Sequence, residues 1–372
     1  MNNGKHQVLS ALLTSSSRAL AGFATEDFLS TIDSGDSSAS VASEPPAGRF
    51  SDWQRLLAER LEELSAAVAL ESPGLFSRQV QWVDSLLAAR DFPHDMFRRA
   101  LTSVRKVLSE ELSADMARIA QEYIDIALDA SIDRPSEVFP RLSADSPHGR
   151  LAMQYLVAVL EGDNLRASKL ILDRARAGDS VPDLYLKVLL PSQEELGRMW
   201  FDGEINIAEE HAATSTTRIV FAQLRTFATF RPRHGKSLLA ATVVGNHVDL
   251  GLQVVGDFFE MYGWRVIQLG SDVPVSDLVE AIEFFEPDVL GLSAALTTQL
   301  PSLGTTIDAV RQHPPSRRVK ILIGGRALLG CGELAERLGA DAYAVDPIEA
   351  VETASALVGA PPPSVVTPPE GM

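Results

Sequence analysis

The residues best equipped for chemistry in this 372-residue chain form one stretch, Val243-Val244-Gly245-Asn246-His247-Val248-Asp249-Leu250-Gly251. An apolar run ends there in a polar, glycine-bounded turn, and a helical pattern of Leu252, Val255, Phe258, Phe259 and Tyr262 starts at once. Ligands of parallel α/β sheets gather at the carboxyl ends of strands, so this turn is expected to be a binding edge. A histidine and an aspartate in one turn suit a metal, a phosphate or a large cofactor. Two later turns follow the same plan, one with Ser293, Thr297 and Thr298 and one with Gly324-Gly325. The hydroxyls offer hydrogen bonds, and the glycines let backbone approach a ligand closely.

These turns need a sheet to bring them together. Apolar runs at 238–244, 266–269, 289–292, 321–323 and 342–345 read as strands with helical patterns between them. Such alternation implies a doubly wound, five-stranded parallel sheet with right-handed crossovers over residues 236–360, all three turns falling on one edge. Before it, residues 147–235 carry helical patterns near 151–161, 164–177, 182–201 and 206–230, interrupted by Gly162-Asp163, Gly178-Asp179 and Asp202-Gly203. Short connections of this kind make an up-and-down four-helix bundle.

Residues 51–146 show apolar stripes of period 3.6, among them Leu56, Leu57, Leu61 and Leu64, then Val80, Val83, Leu86 and Leu87. They read as an N-terminal all-helical domain of about four helices. Its aromatics Phe76, Trp82, Phe92, Phe97 and Tyr123 are expected in a core, though together they suit the walls of a flat chromophore site. Residues 1–50 are rich in Ser, Ala and Gly, with Pro45-Pro46 near their end, and read as a disordered leader. Residues 361–372 read as a Pro-rich tail.

A composition of 45% hydrophobic and 22% charged residues is that of an ordinary globular protein. The net charge of −17, with no Lys/Arg cluster, argues against direct nucleic-acid binding. No apolar run approaches the roughly 20 residues that span a bilayer. The single cysteine, Cys331, excludes an internal disulfide and fits a cytoplasmic location. It is expected to be a small buried residue after a turn.

A four-helix bundle ahead of a small doubly wound domain, with a Gly-x-x-x-Asp-Leu-Gly turn, a Ser-x-x-x-Thr turn and a Gly-Gly turn, resembles the cobalamin-binding modules of methionine synthase and of light-sensing cobalamin regulators. The resemblance covers residues 148–358 and implies a Rossmann-like cobalamin-binding domain capped by the bundle. In the bundle, Trp200 is followed at ten and eleven residues by Glu210 and His211. By themselves these read as a core ring at a helix end and an exposed ion pair. The Trp, nine residues, Glu-His spacing resembles the light-sensing branch, which implies that Trp200 shields an adenosyl group above the corrin and that Glu210 and His211 flank it. In that branch, bundle displacement after light breaks the cobalt–carbon bond is the output.

The same resemblance exposes a departure. In the family the turn carries an acidic residue and, two positions later, a histidine that ligates cobalt from below. Aligned on Gly245, Asp249-Leu250 and Gly251, this chain has Asn246 at the acidic position and Val248 at the histidine position. His247 lies next door, either as a cobalt ligand after local rearrangement or as a solvent-facing neighbour. The site then binds cobalamin with water or His247 below, has exchanged it for haem or a bilin, or has lost ligation. Ser293, Thr297, Thr298, Gly251, Gly324 and Gly325 still suit a nucleotide-like tail.

The resemblance thus implies a non-enzymatic sensor or regulatory binding protein: a cytoplasmic adenosylcobalamin photoreceptor, with biliverdin as a second chromophore, signalling through a homo-oligomer or an effector protein. The alternatives are a corrinoid methyl carrier, against which Val248 and Trp200 count, and a haem or tetrapyrrole sensor.

Overall fold

The computed structural model describes residues 3–33, 50–89, 92, 94–130 and 142–363. The chain divides into two compact units, Met1–Val138 with Phe201–Glu204, and Phe139–Trp200 with Ile205–Met372.

The first unit is helical: α1 (Asn3–Asp33), α2 (Phe50–Ala69), α3 (Pro73–Ala89), α4 (His94–Glu111) and α5 (Ala114–Ala130). Helix α1 corrects the expected disordered leader. Its Leu9, Leu13, Leu20, Ala21, Ala24 and Phe28 are buried. Small residues let α1 and α2 approach closely, and the hydroxyls that looked disorder-promoting find partners: Ser65 Oγ lies 2.9 Å from Ser10 Oγ and 2.7 Å from Thr14 Oγ1, and donates to the Ser10 carbonyl at 2.8 Å. The Ser-rich and Pro45-Pro46 segment of the predicted leader lies outside the described residues. Phe28 packs edge-on to Trp53 at 4.5 Å, and Trp53 meets Phe92 at 5.6 Å. Phe76, Phe92, Phe97 and Tyr123 are all buried. The rings proposed as walls of a second chromophore site are therefore spent on the core, with Trp82 half-buried.

The second unit begins with the bundle: α6 (Pro147–Leu160), α7 (Asn164–Arg176), α8 (Val181–Leu184), a π turn (Tyr185–Leu189), α9 (Leu190–Phe201) and α10 (Ile207–Leu224). Local chemistry sets its ends. Ser146 caps α6 through the Gly149 amide, Asp163 caps α7 through Arg166, and Asn206 with Glu209 forms a capping box on α10. The π turn was not legible in the apolar periodicity, which reads 182–201 as one helix. One residue too many per turn rotates α9 relative to α8, a device found mostly at functional sites.

The sheet follows: β1 (Ser237–Thr242), α11 (Leu250–Met261), β2 (Arg265–Gly270), α12 (Val275–Phe285), β3 (Val289–Ser293), α13 (Leu300–Gln312), β4 (Lys320–Gly324), α14 (Leu334–Arg337), β5 (Ala342–Tyr343) and α15 (Pro347–Val358). All neighbouring strands are parallel, in the order β2-β1-β3-β4-β5. This is the expected doubly wound, Rossmann-like sheet. Helices α11 and α15 pack together, as do α12 and α13. The order reverses between β1 and β3, which opens a crevice at their carboxyl ends. Cys331 is buried, as expected.

Bundle and sheet share one core, running from Tyr155, Tyr185 and Phe221 to Phe258, Phe259 and Val351. Inside it the Tyr185 hydroxyl donates to Asp257 Oδ2 at 2.7 Å, and Arg225 approaches Asp257 Oδ1 at 3.3 Å. Burial holds the Asp257 carboxyl above its ordinary 3.8, against the pull of Tyr185 and Arg225. Below pH 3.8 this carboxyl is protonated in both folded and unfolded chains. As pH rises past that value the unfolded chain ionises first, so wild type is expected to lose stability relative to Asp257→Asn, read by urea unfolding across pH. Tyr185→Phe, which removes the donor and leaves a buried carboxylate short of a partner, is expected to cost about 1–3 kcal/mol in the same measurement.

Candidate functional site

The turn after β1 is held from three directions. Asn246 is fully buried. Its Oδ1 accepts from the Val248 amide at 3.0 Å, and its Nδ2 donates to the Ser293 carbonyl at 3.1 Å. Its own carbonyl accepts from Thr242 Oγ1 at 2.6 Å and from the Asp272 amide at 3.1 Å. Gly245, at φ +81°, donates to Asp272 Oδ1 at 2.8 Å and accepts from Gln299 Nε2 at 2.9 Å. Loops after β1, β2 and β3 are thus tied into one platform. Asp272 and Gln299 were not singled out by sequence reasoning, because their partners are backbone atoms of distant loops.

Beside the platform, at the carboxyl ends of β3 and β4, lies a cleft of about 220 Å³. Gly251, Ser293, Gly324 and Gly325 line it with aliphatic side chains, and Leu190 from α9 reaches it from the bundle. A Cβ on Gly251 would meet nothing within 4 Å, whereas one on Gly325, at φ +103°, would lie 2.3 Å from the Ala294 carbonyl oxygen. Glycine at 325 is therefore required by the backbone, and glycine at 251 keeps the slot open. A narrow, mostly apolar, glycine-walled slot fits a flat aromatic base. Around the same edge Val244, Val248, Leu296, Leu329 and Val345 are all exposed. Exposed aliphatic groups from four successive loops fit the apolar face of a large macrocycle.

The residues singled out from sequence fall into three groups. Gly251, Ser293, Gly324 and Gly325 meet at the cleft. Asn246 and Thr297 are buried in the platform, while His247, Val248 and Thr298 are exposed on it and Asp249 is half-buried. Asp249 is engaged by Arg218 of α10 at 2.8 Å, a tie between bundle and turn. Trp200 is half-buried against the bundle core. Glu210 and His211, neighbours on α10, meet side chain to side chain, His211 Nδ1 lying 2.6 Å from Glu210 Oε2. The Thr214 hydroxyl is within hydrogen-bond distance of both Glu210 Oε1, at 2.8 Å, and Gln193 Oε1, at 3.0 Å. Gln193 donates on to Thr217, which also accepts from the buried Tyr155 hydroxyl. Burial pushes that phenol up to about 12, so it stays a proton donor.

A charged pair was missed by sequence reasoning. Arg326 follows the Gly-Gly turn, and Glu194 stands one helical turn beyond Leu190 on α9. Partial desolvation raises the Glu194 carboxyl and lowers the Arg326 guanidinium, although both residues keep contact with solvent, and each partly offsets the shift of the other. Among the described residues no three His, Cys, Asp or Glu side chains converge on a metal-binding point.

Comparison with known proteins follows this geometry. Two family models match, a B12 binding domain at residues 236–353 and a second B12 binding domain at residues 151–225. Dimethylamine corrinoid protein 1 of Methanosarcina acetivorans is 33% identical over 121 residues, 32% of this chain and 56% of that protein. Dimethylamine corrinoid protein 3 of Methanosarcina mazei is 32% identical over 121 residues, 32% of this chain and 71% of that protein. A corrinoid protein of Desulfitobacterium hafniense is 25% identical over 206 residues, covering 54% of this chain and 94% of that protein. The chain spans little more than half the length of the first of these relatives. The solved Methanosarcina barkeri monomethylamine corrinoid protein overlays 56% of this chain and 98% of its own at 20% identity, with a TM-score of 0.48.

Loss of the Asn246 side chain would orphan the Val248 amide and untie the β1 and β3 loops. Asn246→Ala is expected to destabilise the chain by about 1–3 kcal/mol, with faster hydrogen exchange at Val248 than at core amides.

Proposed function

The chain belongs to the B12-binding domain family, which makes it a corrinoid-binding protein, and on that premise we propose that it is a corrinoid carrier serving a partner methyltransferase. The observation that carries this reading is the glycine-walled cleft beside an aliphatic rim, with a four-helix bundle fused to the same unit. A bound corrinoid would supply a metal centre able to take up and release a one-carbon group. The chain's own part is to bind and position. Gly251, Ser293, Gly324 and Gly325 would hold the cofactor's tail, the rim residues would carry the ring, and α9 and α10 would shield it from water. Arg326 and Glu194 are placed to hold polar ring substituents.

The names of the relatives support this carrier over the adenosylcobalamin photoreceptor expected from Trp200, Glu210 and His211. Those three residues still favour light response as the second reading, since α9 and α10 present them on one bundle. Biliverdin and haem gain no support, and the effector proposed for the sensor becomes a methyltransferase partner. No helix among the described residues is long and apolar enough to cross a membrane.

Filling the slot tests the binding site. Gly251→Leu is expected to fold and to bind hydroxocobalamin about 10- to 100-fold more weakly in a spectroscopic titration. Methyl exchange between the loaded protein and a methylamine-specific methyltransferase tests the function. Exchange well above that of free cobalamin supports the carrier. No exchange, together with a light-driven change of spectrum and hydrodynamic size, overturns it in favour of the sensor.

A further inference from the structure

We propose that this chain holds its corrinoid with no nitrogen ligand beneath the metal, position 248 facing the lower side with an aliphatic group. The inference rests on the corrinoid reading and specifies how that site treats the metal.

Three observations carry it. The first is the platform itself. Val248 is 63% exposed, yet its amide is turned back onto Asn246, whose side chain is fully buried. Val248 therefore stands on a braced turn, and its neighbours on the rim, Val244, Leu296, Leu329 and Val345, are also aliphatic. A surface of this kind offers dispersion contact to a flat ring and no lone pair to its metal.

The second concerns the imidazoles. The two other histidines of the sheet region lie at its opposite edge: His234 precedes β1, and His313 ends α13 ahead of β4. That leaves His247, exposed on the ligand edge, adjacent to Val248 in a non-helical segment where consecutive side chains project differently. Turning His247 to the place of Val248 works against the turn that the Asn246 bonds to Ser293 and Val248 and the Gly245 bonds to Asp272 and Gln299 hold in place. A metal–nitrogen bond would have to exceed that resistance. Asn246 itself has its amide committed to backbone groups, so it cannot orient a ligand imidazole as a carboxylate would.

The third is the cleft. A slot of about 220 Å³, lined largely by glycine and aliphatic groups, lies between sheet and bundle. When the cofactor's own base occupies this slot it cannot also sit under the metal. Both usual sources of a lower nitrogen are thereby removed.

Electron paramagnetic resonance of bound cob(II)alamin reads this directly, because a lower nitrogen splits each cobalt hyperfine line into three. Wild type is expected to show no nitrogen splitting. Val248→His, a change at an exposed position, is expected to gain it. A triplet in wild type that disappears in His247→Ala overturns the proposal and makes His247 the ligand. A triplet that persists in His247→Ala overturns it in favour of the cofactor's own base. A Val248→His protein that binds cobalamin without gaining the splitting overturns the placement of residue 248 beneath the metal. Failure of wild type to bind any cobalamin would instead defeat the corrinoid reading. Tail-less cobinamide is expected to bind wild type about tenfold more weakly than cobalamin, and equal affinity would overturn the cleft's role.

Discussion

The side chain of Asn246, buried without a charge and bonded at both ends to backbone, is the constraint on which the ligand edge depends. A parallel sheet sends the loops after all its strands out of one edge, but nothing in that topology fixes how they stand. Asn246 does so by joining the β1 turn to the β3 loop through the Ser293 carbonyl, while Asp272 and Gln299 clamp Gly245 from either side. The result is a polar foundation with an apolar upper surface. The Asn246 and Gln299 side chains are turned inward, while Val248 and the neighbouring aliphatic groups face out beside the exposed His247 and Thr298.

A second constraint is the core shared by bundle and sheet. Tyr185 belongs to both, its ring tilted against Phe221 at 4.8 Å and meeting Phe258 edge-on at 6.0 Å, with its hydroxyl on Asp257. The π turn that starts at Tyr185 passes directly into α9, which contributes Leu190 to the cleft. The helix that reaches the site is thus aimed by a polar contact in the core. Arg218 on Asp249 adds a second tie from α10 to the turn. This arrangement couples the bundle helices to the β1 turn through one packed body.

Fold and family were legible because they rest on local signals. Apolar runs alternating with helical stripes announce a doubly wound sheet, and Gly251, Ser293 and Gly324-Gly325 mark its working edge by their position after strands. Residues 3–33 were misread for an equally physical reason. Serine and alanine carry little hydrophobic signal, and only when α1 lies on α2 do Ser10, Thr14 and Ser65 satisfy one another. The aromatics of the first unit, expected first of all in a core, close that core with their apolar surface.

The sequence by itself determined that a bundle precedes a five-stranded parallel sheet, that the ligand edge carries glycines and hydroxyls, and that valine stands where a ligating histidine is expected. The first two follow from residue type and spacing along the chain, and the third is what the family resemblance implies for position 248. Only the tertiary structure decided that Asn246 is a buried brace, that Asp249 is taken by Arg218, that Thr298 is exposed and not among the residues lining the cleft, and that Asp257 is held by Tyr185 across 72 residues. Those roles depend on which distant groups arrive at hydrogen-bonding distance, and packing alone sets that.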